Sequence, residues 1–246
     1  MNRFAIIVLV FAGTLAVQAE PPDAKTEAGA EILSKYQEAL QRQNEVRKDV
    51  AMDVTMEATI PKLKKHGRMN ALRRISSLGK ITYKILGFSG DDTVKKEVMA
   101  RYMTAEVEAA QGKRDQIGIT PENYEFKYKG QHEKEARLVH VFELKPRHKR
   151  LGLFKGELWV DPASFLPVRE FGRLVKNPSV FVKKMEFVRK YDIRDGVAYL
   201  VQLDSRTDTR IVGRAELHID YGNFQTQDPG EEPVEEARGA SLATAH

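Results

Sequence analysis

Alternation of apolar and polar residues constrains the fold of this chain more than any other feature of its sequence. From Val50 to Ile60 every second residue is apolar, and the run ends at Pro61. From Ile211 to Tyr221 the odd positions are apolar or small, and the even positions are mostly charged. Successive side chains of a β-strand point to opposite faces. Each segment is therefore predicted to be a strand with one buried face and one solvated face.

Similar segments recur between residues 68 and 205, separated by turn sequences such as Arg194-Asp195-Gly196. Two segments, from Ala30 to Arg47 and from Thr93 to Gln111, show helical spacing instead. We predict a mainly β protein with nine or ten antiparallel strands. Two helices are too few to cover so wide a sheet, so we expect an incomplete antiparallel β-barrel, that is, a curved sheet with a helical lid. Such a shape tends to enclose an apolar cavity.

The first nineteen residues have the pattern of a secretory signal peptide. Arg3 precedes an apolar run from Phe4 to Leu15, and small or branched residues lead to a predicted cleavage after Ala19. The run is shorter than the roughly 20 residues that a membrane span needs. We therefore expect an exported, periplasmic protein that does not span the membrane. The predicted organisation is a signal peptide (1–19), a flexible leader (20–30), a single domain (31–224) and a disordered acidic tail (225–246).

The sequence lacks the residue patterns of common catalytic and metal sites. It has no cysteine, which excludes disulfides, Cys-ligated zinc and a thiol nucleophile. His132-Glu133 is followed by Ala136 where a zinc-protease helix needs a second histidine. No phosphate-binding glycine loop is present. We therefore predict no cofactor, no metal site and no enzymatic activity, although abundant carboxylates keep a secreted hydrolase as a less favoured alternative.

The charge is mildly basic, with 40 Lys and Arg against 35 Asp and Glu, a formal net charge of +5 at pH 7. The densest basic cluster runs from Lys145 to Lys155, where a turn is expected. Because no basic stripe or nucleic-acid motif accompanies it, we predict a solvated loop and no nucleic-acid partner. Attraction to anionic lipid head groups is a further interpretation of the same cluster.

Two stretches carry a resemblance to a known family. The more specific is the hairpin with Leu158-Trp159-Val160-Asp161-Pro162 followed by Phe165-Leu166-Pro167-Val168-Arg169. The second is Arg210 to Leu217. Together, over about Phe142 to Phe224, they resemble bacterial periplasmic proteins of the outer-membrane lipoprotein-sorting class, with the LolA/LolB-like fold. The resemblance implies an incomplete barrel with helical lids and a hydrophobic cavity that binds acyl chains of lipoproteins or other lipids without chemistry.

These observations lead to one main functional hypothesis. The chain is predicted to be a soluble periplasmic carrier or chaperone that binds acyl chains of lipoproteins or another lipid, for transport toward the outer membrane. Membrane transport proteins of the inner or outer membrane are further candidate partners. An alternative is a periplasmic lipid-responsive sensor or protein-interaction module whose interior is filled core.

Candidate cavity-lining residues come from the apolar strand faces and from the central helix. Methionine suits a cavity that accommodates varied chains, because its side chain is flexible. The candidates are Met52, Val54, Met56, Tyr83, Ile85, Val98, Tyr102, Met103, Phe126, Phe142, Met185, Phe187, Leu217 and Ile219.

Overall fold

The computed structural model describes residues 24–46, 49–111 and 114–227. The predicted signal peptide therefore lies outside the described residues, as does the predicted tail from residue 228 onward. The described part contains ten strands: β1 (Asp49–Ile60), β2 (Lys65–Ile75), β3 (Ile81–Gly90), β4 (Tyr124–Lys134), β5 (Arg137–Pro146), β6 (Phe154–Val160), β7 (Pro167–Leu174), β8 (Val182–Arg194), β9 (Val197–Thr209) and β10 (Arg214–Gln227).

All ten strands form one antiparallel sheet in the order β3-β2-β1-β10-β9-β8-β7-β6-β5-β4. Hairpins connect most neighbours, and β1 pairs with β10 as the third and fourth strands of the order. Strands β3 and β4 stand at the two ends of the order, so the sheet is not closed. The predicted mainly β fold with an incomplete antiparallel barrel is confirmed.

The alternating pattern becomes one buried face because neighbouring strands keep their apolar residues in register. Val54 lies opposite Ala71 on β2 and opposite Tyr221 on β10, and all three are buried. The intervening residues of β1 are exposed or half-buried. Directly opposed residues share a face and pack together. The face that carries Val54 is called the inner face below.

Helix α1 (Ala24–Glu45) covers one half of the inner face. It begins within the segment that was predicted to be a flexible leader, which is a correction for residues 24–30. The physical reason is a close contact with β4, since a β-carbon on Gly29 would lie 2.6 Å from Tyr128 Cβ. Gly29 is buried where α1 crosses β4. Because this contact packs the start of α1 against the sheet, the helix begins before Gly29. Tyr36 anchors the same helix with only 2% of its surface exposed.

The other half of the inner face is covered by the central helix, residues 92–110. It starts as α2 (Asp92–Val94), passes through a π-helical segment (Lys95–Ala100) and continues as α3 (Arg101–Ala110). The Asp91 carboxylate caps it by accepting a hydrogen bond of 2.7 Å from the Thr93 amide. A four-residue helix, α4 (Arg114–Ile117), follows.

The π-helical segment changes which residues face the sheet. Val94, Met99 and Met103 are buried, whereas Val98 and Tyr102 are half-buried. A π-helix bonds residue i to residue i+5, so the position below Val94 is Met99 rather than Val98. A regular helical period would place Val98 against the sheet, and this one wide turn places Met99 there instead.

Two hydrophobic clusters lie side by side on the inner face. One packs beneath the central helix and includes Met52, Val54 and Met56. The other packs beneath α1 and includes Tyr124, Phe142 and Leu158. A third, smaller cluster around Trp159 lies on the outer face. Strand β10 reaches Gln227, three residues into the segment predicted to be a disordered tail, because Asp49 and Val50 of β1 pair with it there.

Candidate ligand-binding cavity

A cavity of about 300 Å³ lies between α1 and the inner face of the sheet. Strands β2 and β7 both border it, although they stand five places apart in the sheet order. In a flat sheet that separation would be about 24 Å, at roughly 4.8 Å per strand. The sheet must therefore curve around the cavity. The lining residues are Tyr36, Leu40, Gln43, Val50, Met52, Arg73, Ile75, Ile119, Pro167, Glu170, Tyr191, Val197, Ala198, Tyr199, Leu200 and Phe224.

Most of this lining is apolar or aromatic, but two charged residues are part of it. Arg73 is only 5% exposed, and its Nη2 donates a 2.7 Å hydrogen bond to Oε1 of Glu106 on the central helix. The Tyr83 hydroxyl donates to the other oxygen of the same carboxylate. Burial works against the charge on Arg73, but the Glu106 carboxylate together with Tyr83 and Tyr221 outweighs it and raises the pKa of Arg73. This cation therefore stays charged and ties the helix to β2.

Glu170 carries the second charge of the lining and is also ion-paired. Its carboxylate accepts a 3.2 Å hydrogen bond from Nη1 of Arg189, and only 8% of its side chain is exposed. Arg189 lies directly opposite Glu170 on the inner face, and 40% of its side chain is accessible to solvent. Desolvation by burial acts against the charge of this guanidinium. The neighbouring Tyr191 and Glu170 raise the pKa of Arg189 above its ordinary value.

Tyrosine hydroxyls complete the polar part of the interior. Burial, followed by the negative charge of Glu170, raises the pKa of both Tyr36 and Tyr191 well above the ordinary value. The hydroxyls of Tyr102 and Tyr221 lie 2.9 Å apart. All of these phenols stay protonated at neutral pH and can donate hydrogen bonds. Since each interior carboxylate faces an arginine, the site combines apolar surface with neutral hydrogen-bonding groups.

The candidates chosen from the sequence are brought together on one face, as the register shows. Cross-strand pairs connect Met56 to Ile219, Leu217 through Ser205 to Phe187, and Phe187 through Gly172, Gly156 and Leu144 to Phe126. By the same pairing, all eleven strand candidates share the inner face. They are Met52, Val54, Met56, Tyr83, Ile85, Phe126, Phe142, Met185, Phe187, Leu217 and Ile219.

Their surroundings differ from one another, however. Met52 borders the cavity of about 300 Å³. Val54, Met56, Phe142 and Ile219 are packed core with at most 1% exposure. Four further candidates are half-buried against the two clusters: Tyr83, Val98, Tyr102 and Phe126. Met103 is buried between the central helix and the sheet, and Met185 is half-buried on β8. Ile85 is 49% exposed on the edge strand β3.

A second, shallower depression of about 700 Å³ borders β1 and β7 to β10. Phe187 and Leu217 are part of its lining. The rest is mainly charged, with Glu57, Glu216 and His218 among the bordering residues. It offers far less enclosure for an apolar chain than the cavity beneath α1.

Sequence reasoning missed most of the residues that line the cavity. Tyr36 and Leu40 lie within the segment predicted to be helical, from Ala30 to Arg47, but they were not assigned to a site. Arg73 and Glu170 occupy positions of the inner face that alternation reserves for apolar residues. A charged residue in place of an apolar one within an alternating strand could have indicated the site. Such a residue is buried only when a partner of opposite charge neutralises it.

In the part of the chain that the structure describes, no helix is both long and apolar enough to cross a membrane. No family model matches the chain, and no curated protein matches it.

Solved structures of several bacterial proteins are similar to this chain. A domain assigned to outer membrane lipoprotein sorting, from Vibrio parahaemolyticus, is 14% identical, with 84% of this chain and 95% of that one covered and a TM-score of 0.44. A LolA superfamily protein from Nitrosomonas europaea is 13% identical, with coverages of 81% and 94% and a TM-score of 0.40. A DUF1329 family protein from Desulfovibrio piger is 11% identical, with coverages of 82% and 95% and a TM-score of 0.40. The first two of these proteins are described in terms of the class that the sequence resembles.

Proposed function

We propose that this protein is an exported carrier or chaperone that binds an acyl chain of a lipoprotein or another lipid beneath α1. The observation that carries the proposal is the cavity of about 300 Å³, whose lining is mostly apolar and aromatic. Ligand sites usually occupy roughly 300–1,000 Å³, so the cavity is suited to one chain or part of one. Burying a methylene contributes about 0.8 kcal/mol, and eight of them would contribute about 6 kcal/mol.

The polar groups of the cavity suit the group that joins an acyl chain to its carrier molecule. An ester or amide is neutral, and its carbonyl oxygen accepts hydrogen bonds. The Tyr36 hydroxyl on α1 and the Tyr191 hydroxyl on β8 border the cavity and can donate hydrogen bonds. Because Glu170 already neutralises Arg189, a ligand with a full negative charge would have to compete with that carboxylate.

The setting of this function is part of the same proposal. The apolar segment before Ala19 supports export, and a periplasmic carrier would collect its cargo at one membrane and release it at another. Transport proteins of the inner or outer membrane would be the partners of such a cycle.

Native mass spectrometry after gentle purification, followed by titration with a fluorescent fatty acyl probe, tests the binding activity. The mature protein is expected to carry a copurified lipid or to bind the probe. Ala198→Phe should weaken probe binding at least about tenfold, because Ala198 lines the cavity and the ring would fill it.

Ala163→Phe is the matched control, since Ala163 is exposed on the β6–β7 turn away from the cavity. Circular dichroism of both variants verifies that the sheet is retained. A wild-type protein that neither carries lipid nor binds the probe would refute the carrier proposal. Equal probe binding by the Ala198 variant and the wild type would exclude this cavity as the site.

A further inference from the structure

Four connections lie side by side at one end of the sheet, and together they are called the basic end. They comprise residues 61–65, 146–155, 174–184 and 209–214. Lys62 passes so close to Gly213 that a β-carbon there would lie 3.2 Å from it. The Arg210 amide donates a 2.8 Å hydrogen bond to the Phe181 carbonyl, and the Val175 amide donates one of 3.0 Å to the Leu153 carbonyl. These contacts join the four connections into one continuous surface.

The basic end contains many cations and no acidic residue. Its twelve Lys and Arg residues are Lys62, Lys64, Lys65, Arg147, Lys149, Arg150, Lys155, Lys176, Lys183, Lys184, Arg210 and Arg214. Three of them form ion pairs with carboxylates outside the four segments: Lys65 with Asp91, Lys184 with Glu186 and Arg214 with Asp208. Within the described ranges, the other nine form no ion pair. Two exposed acidic residues, Asp92 and Glu122, belong to neighbouring connections at the same end of the sheet.

Large apolar side chains project from the same loops. Val180 is 79% exposed, Ile211 is 63% exposed and Phe181 is 55% exposed. Leu63 and Leu151 are also exposed, on the neighbouring connections. The backbone contact between Arg210 and Phe181 holds the two most prominent loops together, and the Arg210 Nε also donates 3.0 Å to the Val180 carbonyl. One aromatic and several aliphatic side chains are therefore surrounded by Lys and Arg residues that form no ion pair with other described residues.

The opposite end of the sheet has a different character. Its turns carry Glu135, Asp161 and Asp195 and one basic residue, Lys80. Its exposed apolar side chains include Leu78, at 94% exposure, and Leu138, at 51%. The basic residues are thus concentrated at one end by the arrangement of the hairpins. They come from four segments that are distant in sequence, so the basic cluster at Lys145 to Lys155 is only one part of a larger surface.

We infer that the basic end docks on the surface of an anionic lipid bilayer. Lys and Arg near a membrane are attracted to anionic head groups, and exposed aromatic and aliphatic side chains enter the boundary between head groups and acyl chains. The apolar side chains are distributed over four loops, so they can enter a fluid interface without the matched pockets that a protein partner would need. Long Lys and Arg side chains can reach the head groups while their stems accompany the inserted residues. This inference goes beyond the proposed carrier function and does not depend on it.

Sedimentation with lipid vesicles tests the inference on the full mature chain. Phosphatidylcholine vesicles that contain about 30% phosphatidylglycerol should bind the protein, and vesicles of phosphatidylcholine alone should bind it at least about tenfold more weakly. Raising the salt concentration should weaken the binding, because exposed charges are screened. Lack of binding to the anionic vesicles, or equal binding to both kinds, would overturn the inference.

Matched variants at the two ends locate the docking surface. The double variant Phe181→Ser/Ile211→Ser should lower the affinity for anionic vesicles about tenfold or more. Leu78→Ser, an exposed apolar residue at the opposite end, should leave it unchanged. The charge variants Lys176→Glu/Lys183→Glu should weaken binding, whereas Lys80→Glu/Lys134→Glu should weaken it far less. If the variants at the opposite end have the larger effect, the assignment of the basic end is wrong.

The outcome for the basic end is separable from the outcome for the cavity. Phe181 and Ile211 do not line the cavity, so the double variant should bind the fluorescent acyl probe as the wild type does. Ala198→Phe should still bind anionic vesicles. Loss of both activities in the Phe181/Ile211 variant, with an altered circular dichroism spectrum, would mean that these side chains support the fold and would contradict the inference.

Discussion

At the scale of single residues, the charges on the inner face determine how this interior differs from an ordinary apolar core. Arg73 follows Met69 and Ala71 on the buried face of β2, where alternation favours an apolar residue. Its guanidinium contacts Glu106, lies 5.5 Å from the centre of the Tyr221 ring and donates 3.4 Å to the Met52 sulfur. Every one of these contacts compensates for the water that the cation has lost.

Glu106→Ala is expected to destabilise the protein by about 3 kcal/mol, because it leaves the Arg73 cation buried without its carboxylate. Chemical denaturation measures the change in the free energy of unfolding. The double variant Arg73→Met/Glu106→Leu should be less destabilised than Glu106→Ala. Glu108→Ala, at an exposed position of the same helix, is the control and should change stability by less than about 0.5 kcal/mol. A small effect of Glu106→Ala would show that the ion pair contributes little.

His218 is expected to make stability depend on pH in the neutral range. Its Nδ1 lies 2.7 Å from Asp204 and its Nε2 lies 3.0 Å from Asp220. The hydrogen bond to Asp204, reinforced by Asp220, raises the pKa of His218 above its ordinary value of 6.5. Since the folded state holds this proton more tightly, the stabilisation is complete below about pH 6.5 and is lost as pH rises through the folded-state pKa.

Comparison of the wild type with His218→Gln isolates that contribution. The difference in melting temperature between the two proteins should be largest in mild acid and should shrink as pH rises. His132→Gln is the control, because His132 is exposed and contacts only the Lys129 carbonyl oxygen. A difference that stays constant across the neutral range would contradict the assignment.

At the scale of elements, the central helix shows how far a regular period can be trusted. The sequence predicted the helix and its position correctly, because the spacing of apolar residues is helical over most of its length. It could not predict the π-helical segment, whose single wide turn places Met99 on the sheet and moves Val98 to the side. Likewise, a polar segment before Ala30 appeared to be a leader, since only contact of Gly29 with β4 reveals its helix.

Aspartate substitutions within the central helix test this arrangement. Met99→Asp should destabilise the protein by at least about 4 kcal/mol, because Met99 has no exposed surface and a carboxylate there would be buried. Val98→Asp should cost about 1–2 kcal/mol, since Val98 is half-buried. Lys96→Asp, at an exposed position, controls for the change of charge. Melting temperatures in the reverse order would contradict the π-helical register.

At the scale of the whole molecule, the sheet has a protected middle and two exposed margins. Strands β1 and β10 each have a hydrogen-bonded neighbour on both sides and lie beneath the central helix. Strand β3, in contrast, is an edge strand with mostly exposed side chains. Alternation was sufficient to predict an open sheet of nine or ten strands and the shared inner face. It was not sufficient to place the cavity, because the cavity depends on how α1, β2 and β7 to β9 meet in space.

Hydrogen exchange measured along the chain tests this distribution of stability. Amides in the middle of β1 should exchange about a hundredfold more slowly than amides of β3, because edge regions open locally while the middle opens only with the whole sheet. Strand β4 is the internal comparison, since it is also an edge but packs against α1. Its exchange should be slower than that of β3. Uniform exchange across the sheet would indicate that the edges are as stable as the middle.

An open sheet also has a mechanical property that a closed barrel lacks. In a closed barrel the number of strands and their stagger set the radius, so the interior has a nearly constant width. Here β3 and β4 are not joined, and the radius of curvature is free to change by small rotations between neighbouring strands. Such bending widens or narrows the space under α1 without breaking any hydrogen bond of the sheet. Under the proposed carrier function, such bending would let the sheet accommodate acyl chains of different thickness.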